Sequence, residues 1–168
     1  IKQLESSLDK DLYNEFREWP YKNVPKRIIA EKYLAPEKSP TPNDLPDYKF
    51  FCFHGKVKFF KVDFGRFVEH HANYYDTDGN LLPFGEKSFE PDPTYPIELP
   101  NNLRDMIALA EKLSKNEPFI RVDFYNINGK IFFGELTFYP ASGFGSFTPN
   151  NWNLRIGNML LLNTNYSN

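Results

Sequence analysis

The sequence predicts an α+β fold, and three observations carry that expectation. Residues 121–140 alternate apolar and charged residues around a glycine-containing turn, as a half-buried hairpin does, and residues 47–64 read as two aromatic-rich strands joined around His54-Gly55. Residues 103–115 place Leu103, Met106, Ile107, Ala110 and Leu113 at helical spacing. Helices and hairpins come in blocks rather than in strict alternation, which points to mostly antiparallel strands. The chain has 168 residues, enough for one sizeable core but tight for two. Apolar residues make up 40% and aromatic residues 17%, a globular composition. A formal charge of −2 argues against nucleic acid as a general partner. No apolar run is long enough for membrane insertion, and no signal-peptide pattern opens the sequence. The single cysteine, Cys52, excludes an internal disulfide and suits a reducing, cytoplasmic setting.

Residues 4–19 read as one amphipathic helix with Leu4, Leu8, Leu12, Phe16 and Trp19 on a stripe, stopped by Pro20. Val24–Leu34 reads as a short buried strand, followed by a rigid loop holding Pro36, Pro40, Pro42 and Pro46. A hairpin then turns at His54-Gly55. Residues 66–100 give the weakest pattern, with a turn at Asp78-Gly79-Asn80 and prolines at 91, 93, 96 and 100. Asn101 or Asn102 is placed to cap the helix that runs to about Lys115, and Pro118 closes it. A short helix is expected at Ile156–Leu162.

The last hairpin, "RVDFYNINGKIFFGELTFYP", carries one carboxylate in the middle of each arm, Asp123 and Glu135. A two-residue turn at Asn128-Gly129 would put them on opposite faces. A three-residue loop, Ile127-Asn128-Gly129, pairs Asn126 with Lys130 and brings Arg121, Asp123, Glu135 and Thr137 to one face. It also lines Val122, Phe124, Phe132 and Leu136 on the other, so this register is expected. Two carboxylates and a hydroxyl beside an arginine suit a hard divalent ion such as Mg²⁺, together with phosphate groups. They equally suit a solvated sheet face with cross-strand ion pairs, and spacing alone does not separate the two.

His70 and His71 adjoin Glu69, but neighbours on a strand point to opposite faces and chelate poorly, so structural roles are expected. His54 reads as a surface turn residue and Cys52 as a small core residue. "NYYDTDGN" imitates part of a calcium loop without its glutamate; Arg66 and Asp76 are candidates there for a substrate-side loop. Asn165-Tyr166-Ser167 matches a glycosylation sequon by chance.

"RVDFYNINGKIFFGELTFYPASGF" resembles the closing hairpin of ATP-grasp enzymes, and in particular that of D-alanine–D-alanine ligases. With "VPKRIIAEKYL", "DYKFFCFHGKVKF" and "YYDTDGNLLPF" it is similar to the TupA-like ATP-grasp proteins, associated with teichuronopeptide and other bacterial surface polysaccharides. The resemblance runs from about Glu18 to Leu162 and implies an ATP-grasp fold, an antiparallel sheet with packed helices. It implies ATP and Mg²⁺ as cofactors and a carboxylate–amine (or thiol) ligase that passes through an acyl phosphate. The partner would be an amino-acid or uronic-acid-containing polysaccharide precursor. Asp123 and Glu135 would bind the metal, with Thr137 standing where the superfamily usually has Asn. Arg121 would hold the phosphoryl group. The backbone of Lys32, Tyr33 and Leu34 would read the adenine edge, with Glu31 beside it. Asp47 would accept from ribose hydroxyls and Lys49 would reach phosphate. The resemblance also implies that residues 1–168 are the C-terminal part of a longer domain, so the chain alone is expected to bind ATP poorly and not to turn it over. Two other classes compete with the ligase: a glycosyltransferase using a nucleotide sugar, and a non-catalytic nucleotide-binding domain.

Overall fold

The computed structural model describes residues 2–34 and 45–162. Pro36, Pro40, Pro42 and the Asn165 sequon lie outside the described residues. The elements in chain order are α1 (Lys2–Ser7), α2 (Leu12–Phe16), β1 (Asp47–Phe53), β2 (Lys56–Phe64), β3 (His71–Tyr75), β4 (Gly85–Glu86), α3 (Leu103–Leu113), β5 (Phe119–Ile127), β6 (Lys130–Thr137), β7 (Phe147–Thr148) and α4 (Asn151–Gly157). Five strands form one antiparallel sheet in the order β3-β2-β1-β5-β6, and β4 pairs with β7 beside it. The architecture is α+β, as expected.

The sheet is buried on both faces, which explains its near-continuous aromatic strands. Tyr48, Phe50 and Cys52 of β1 point to one side and meet Phe60, Val62, Val122 and Phe124. Met106, Ile107 and Ala110 of α3 cover this core. Phe51 and Phe53 point to the other side, where they pack with Phe59, Tyr74, Phe84 and Ile156. Only half of that second face is apolar. Towards Asp47 and Tyr125 it becomes ionic, and there the site is built.

Both hairpins reach their register through a bulge. His54 and Gly55 have φ of 50° and 72°, the left-handed pair of a two-residue turn, and Phe53 pairs with Lys56. The register then shifts between Phe51 and Cys52, with Lys58 as the extra residue, so that Lys49 faces Lys61 and Asp47 faces Asp63. In the last hairpin Asn128 and Gly129 form the same kind of turn (φ 51° and 78°) and Ile127 pairs with Lys130. The expected three-residue loop is therefore incorrect. A bulge between Val122 and Phe124 sets Gly134 and Glu135 together against Asp123 and restores the expected facing beyond it, although Arg121 pairs with Thr137 where the expected register pairs it with Glu135. The near half of β6 is consequently flipped. Ile131, not Phe132, packs against the α3-side core, and Phe133 is left 57% exposed.

Gly134 makes this bulge possible, because a Cβ there would lie 3.0 Å from the backbone oxygen of Asp123. Gly134→Val is expected to cost about 1–3 kcal/mol, read as a lowered urea midpoint.

Three further expectations are corrected. The helix over 4–19 is two short helices, because Asp11 caps a new start, its carboxylate accepting from the Asn14 N–H at 3.0 Å. Its stripe is not a buried face: Leu4, Phe16 and Trp19 are exposed, Leu8 is half-buried, and the Leu12 side chain lies outside what is described. The segment of residues 24–34 forms no strand and pairs with none among the described residues, and Ile29 is 77% exposed. Lys26, Arg27, Glu31 and Lys32 leave it no clean apolar face. Helix α4 starts at Asn151 rather than Ile156, and Leu113 of α3 faces solvent.

Candidate functional site

Strands β1, β2, β5 and β6 present polar side chains to one face in cross-strand rows. Lys49 sits opposite Asp123 on one side and Lys61 on the other; Arg121 sits opposite Thr137. Asp123 is 1% exposed and occupies the centre. It accepts from Arg121 through both oxygens, Nε to Oδ1 and Nη2 to Oδ2, each at 2.8 Å. Lys49 Nζ donates to the same Oδ2 at 2.8 Å. The Arg121 Nη2 group also donates to Glu135 at 2.7 Å and to the Thr137 hydroxyl at 2.9 Å. Thr137 in turn donates to Glu135 at 3.0 Å. Asp123, Glu135 and Thr137 therefore lie on the same face around one guanidinium.

The array continues across β1 and β2. Lys49 pairs with Asp47 and lies 3.7 Å from Asp63. Arg66 reaches Asp47 at 3.3 Å, and His70 meets Asp63 at 3.1 Å. Lys61 bridges Asp63 at 3.6 Å and Glu86 at 3.1 Å, and the Tyr74 hydroxyl donates to Glu86 at 2.5 Å. Four cations thus face five carboxylates, so charge is nearly balanced within a largely dry layer. Burial pulls the Lys49 ammonium down, but Asp123 and Asp47 outweigh it and hold the group above its ordinary value. Arg121 follows the same balance. Burial pushes the Asp47 carboxyl up, against the pull of Lys49. Asp47 Oδ1 is buried and has no hydrogen-bond partner. An orphan acceptor of this kind marks a place where a donor is missing.

The donor set fits a hard cation: two carboxylates and a hydroxyl, all oxygen. Among the described residues no three acidic, histidine or cysteine side chains converge as a ready-made cage. Cations hold the carboxylates instead, so a metal would have to take Arg121's place between Asp123 and Glu135.

A model of the TupA-like ATP-grasp family matches residues 1–161, nearly the whole chain and all of the ionic face. The chain belongs to the TupA-like ATP-grasp family. Among curated proteins and among solved structures nothing matches it. It is an ATP-grasp domain of the ATP-dependent ligase type, with a five-stranded antiparallel sheet.

In this ATP-grasp chain the structure brings together Arg121, Asp123, Glu135, Thr137, Asp47 and Lys49. Glu31, Lys32, Tyr33 and Leu34 lie outside any helix or strand, Tyr33 is 70% exposed, and none of the cluster's contacts given above involves them. Arg66 belongs to the ionic face. Asp76 does not, since its oxygens accept from the Asp78 and Asn80 N–H groups and the Asn80 amide, closing its own turn. Sequence reasoning passed over Lys61, Asp63, His70 and Glu86. The alternation in "FFKVDF" carried a signal for Lys61 and Asp63, but only with the bulge does it point at Lys49 and Asp47. No helix among the described residues is long and apolar enough to cross a membrane.

Proposed function

We propose that this domain holds Mg²⁺ and ATP for a carboxylate–amine ligase that acts in the cytoplasm on a bacterial surface-polysaccharide precursor. One observation carries the reading: Asp123 and Glu135, from the two arms of one hairpin, are bridged by the single side chain of Arg121. Asp123, Glu135 and Thr137 would hold the metal. Bound there, Mg²⁺ supplies charge neutralisation at the phosphate oxygens. With those carboxylates turned to a metal, the Arg121 guanidinium would be free to pair phosphate, which its planar fork suits. Lys49 stays fully charged between Asp47 and Asp123 and can lend its ammonium to the same phosphates. The orphaned Asp47 Oδ1 supports a hydroxyl-donating group such as ribose at that end. The backbone of residues 31–34, outside any helix or strand, would serve the adenine edge.

The reaction has two transfers. A substrate carboxylate oxygen takes the γ-phosphoryl group, giving an acyl phosphate and ADP. An amine then attacks the acyl carbon; the C–N bond forms, the C–O bond to phosphate breaks, and the amine loses its proton. No side-chain nucleophile is required, because positioning and charge do the work.

The test is thermal unfolding. At one hundred times its Kd, a ligand of the native state adds about 2.7 kcal/mol, or a rise of about 5–10 °C in a chain of this size. The rise is expected with ATP and Mg²⁺ together, and not with ATP in EDTA. Glu135→Gln should remove it, and because Glu135 is 60% exposed that change should cost little stability of its own. An equal shift with and without metal, or in Glu135→Gln, would refute the metal reading.

A further inference from the structure

A cavity of about 270 Å³ opens on the same sheet face as the ionic array, at its other end. Its floor is Phe51, Phe53 and Phe119: the first two follow Lys49 by two and four residues on β1, and Phe119 precedes Arg121 by two on β5. Phe147, Ile156 and Leu160 form the opposite wall. The pocket and the nucleotide end therefore lie on opposite sides of Arg121. Glu86 stands in the pocket's lining and is also the end of the ionic array, bonded to Lys61 and Tyr74. Its Oε1 takes both Tyr74 and Lys61, whereas Oε2 accepts from Lys61 alone and keeps an open lone pair. Pro140–Ser146 closes the side. It runs through three successive residues at positive φ, Ala141, Ser142 and Gly143. The loop is pinned from outside: Ser142 donates to Glu18 at 2.8 Å, and the Phe138 N–H to the Tyr21 hydroxyl at 3.1 Å. Strained backbone held in place by distant residues is the form a built binding wall takes.

We infer that this cavity is the subsite for the amine component, and that the amine carries an aromatic or branched aliphatic group. The apolar group fills the space between Phe53, Phe119 and Ile156. The ammonium lies against Glu86 Oε2, on the side facing Arg121. An anion of the same shape is disfavoured, because the array already sets five carboxylates against four lysine and arginine cations. This rests on the ligase reading above, and it adds a substrate class to that reading.

The test uses two probes of matching body and opposite charge, phenethylamine and 3-phenylpropionate, with saturation-transfer NMR on the purified chain. Phenethylamine is expected to bind roughly tenfold more tightly, the equivalent of one charge contact. Glu86→Gln should erase the preference. Gly157→Leu should abolish binding of both, since Gly157 lines the cavity and a Cβ there meets nothing within 4 Å. Gly157 lies outside the metal site, so its variant should keep the Mg²⁺–ATP thermal shift, which also reports that it is folded. Should Gly157→Leu not fold, Ser88→Trp on the same lining replaces it. Equal binding of the two probes, no binding of either, or binding that survives the filling variant would overturn the inference. If phenethylamine binds as described while Mg²⁺–ATP shifts nothing, the nucleotide reading falls and the pocket stands.

Discussion

Asp123→Ala should unfold in urea with a stability about 3–5 kcal/mol below that of the parent chain. The carboxylate is 1% exposed and holds two cations whose own side chains are only 12% exposed. Its removal leaves the largely buried Lys49 and Arg121 without three charge-assisted bonds. Asp47 retains Lys49, and Glu135 retains Arg121, so the loss is bounded rather than total. Arg121→Met in the same chain should recover part of it, because the unpaired guanidinium then disappears with its partner. A loss below about 1 kcal/mol would mean that solvent screens the cluster as it does an exposed pair, and the picture of a buried ionic floor would be wrong.

Alkali should be the second large effect. Burial pushes the Cys52 thiol from 9.0 up to about 11 and the Tyr48 phenol from 10.0 up to about 12. Tyr74, Tyr75 and Tyr21 are raised for the same first reason, and Lys49 is raised by its carboxylates. Every one of these folded-state values lies above the unfolded one. The unfolded chain therefore loses protons first, and stability falls as pH rises. The contribution is whole below the unfolded values and lost as pH climbs through the folded ones, a window from about 9 to 12 for Cys52 and Tyr48. Two units correspond to roughly 3 kcal/mol for each group, so these two alone are on the order of the whole stability of a marginal domain. Chemical denaturation at a series of pH values should show this slope, and Cys52→Ala should flatten its lower part. Stability that stays level from pH 8 to 11 would contradict the burial of both groups.

The elements themselves were legible where one periodicity ran unbroken. Period-two alternation marked β5 and β6, aromatic-rich runs marked β1 and β2, and helical spacing marked α3, whose inner residues Met106, Ile107 and Ala110 are buried as expected. Register was less legible, because each hairpin combines a tight two-residue turn with a bulge several residues away. Nothing local announces the bulge. Gly134 is its trace in the sequence, but a glycine in a strand has several explanations. The expectation that Asp123 and Glu135 share a face held, whereas the expected register failed nearer the turn, where Phe132 and Phe133 exchange sides. The N-terminal stripe misled for a different reason. Leu4, Leu8, Phe16 and Trp19 keep helical spacing across Asp9-Lys10-Asp11, and periodicity does not register that Asp11 caps a separate helix. The outer members of the ionic face, Arg66, His70 and Glu86, come from segments without any repeating pattern. Tertiary placement alone brings them to Asp47, Asp63 and Lys61.

The central claim is that the paired acids of the last hairpin hold a metal together with a nucleotide. Mn²⁺ standing in for Mg²⁺ tests it most directly, with free Mn²⁺ counted by electron paramagnetic resonance as ATP is added to the protein. The chain should take up Mn²⁺ well beyond the amount that the same ATP binds in its absence, and Glu135→Gln should return the curve to that of ATP alone. Uptake no greater than that of free ATP, or uptake unchanged in Glu135→Gln, would contradict the account.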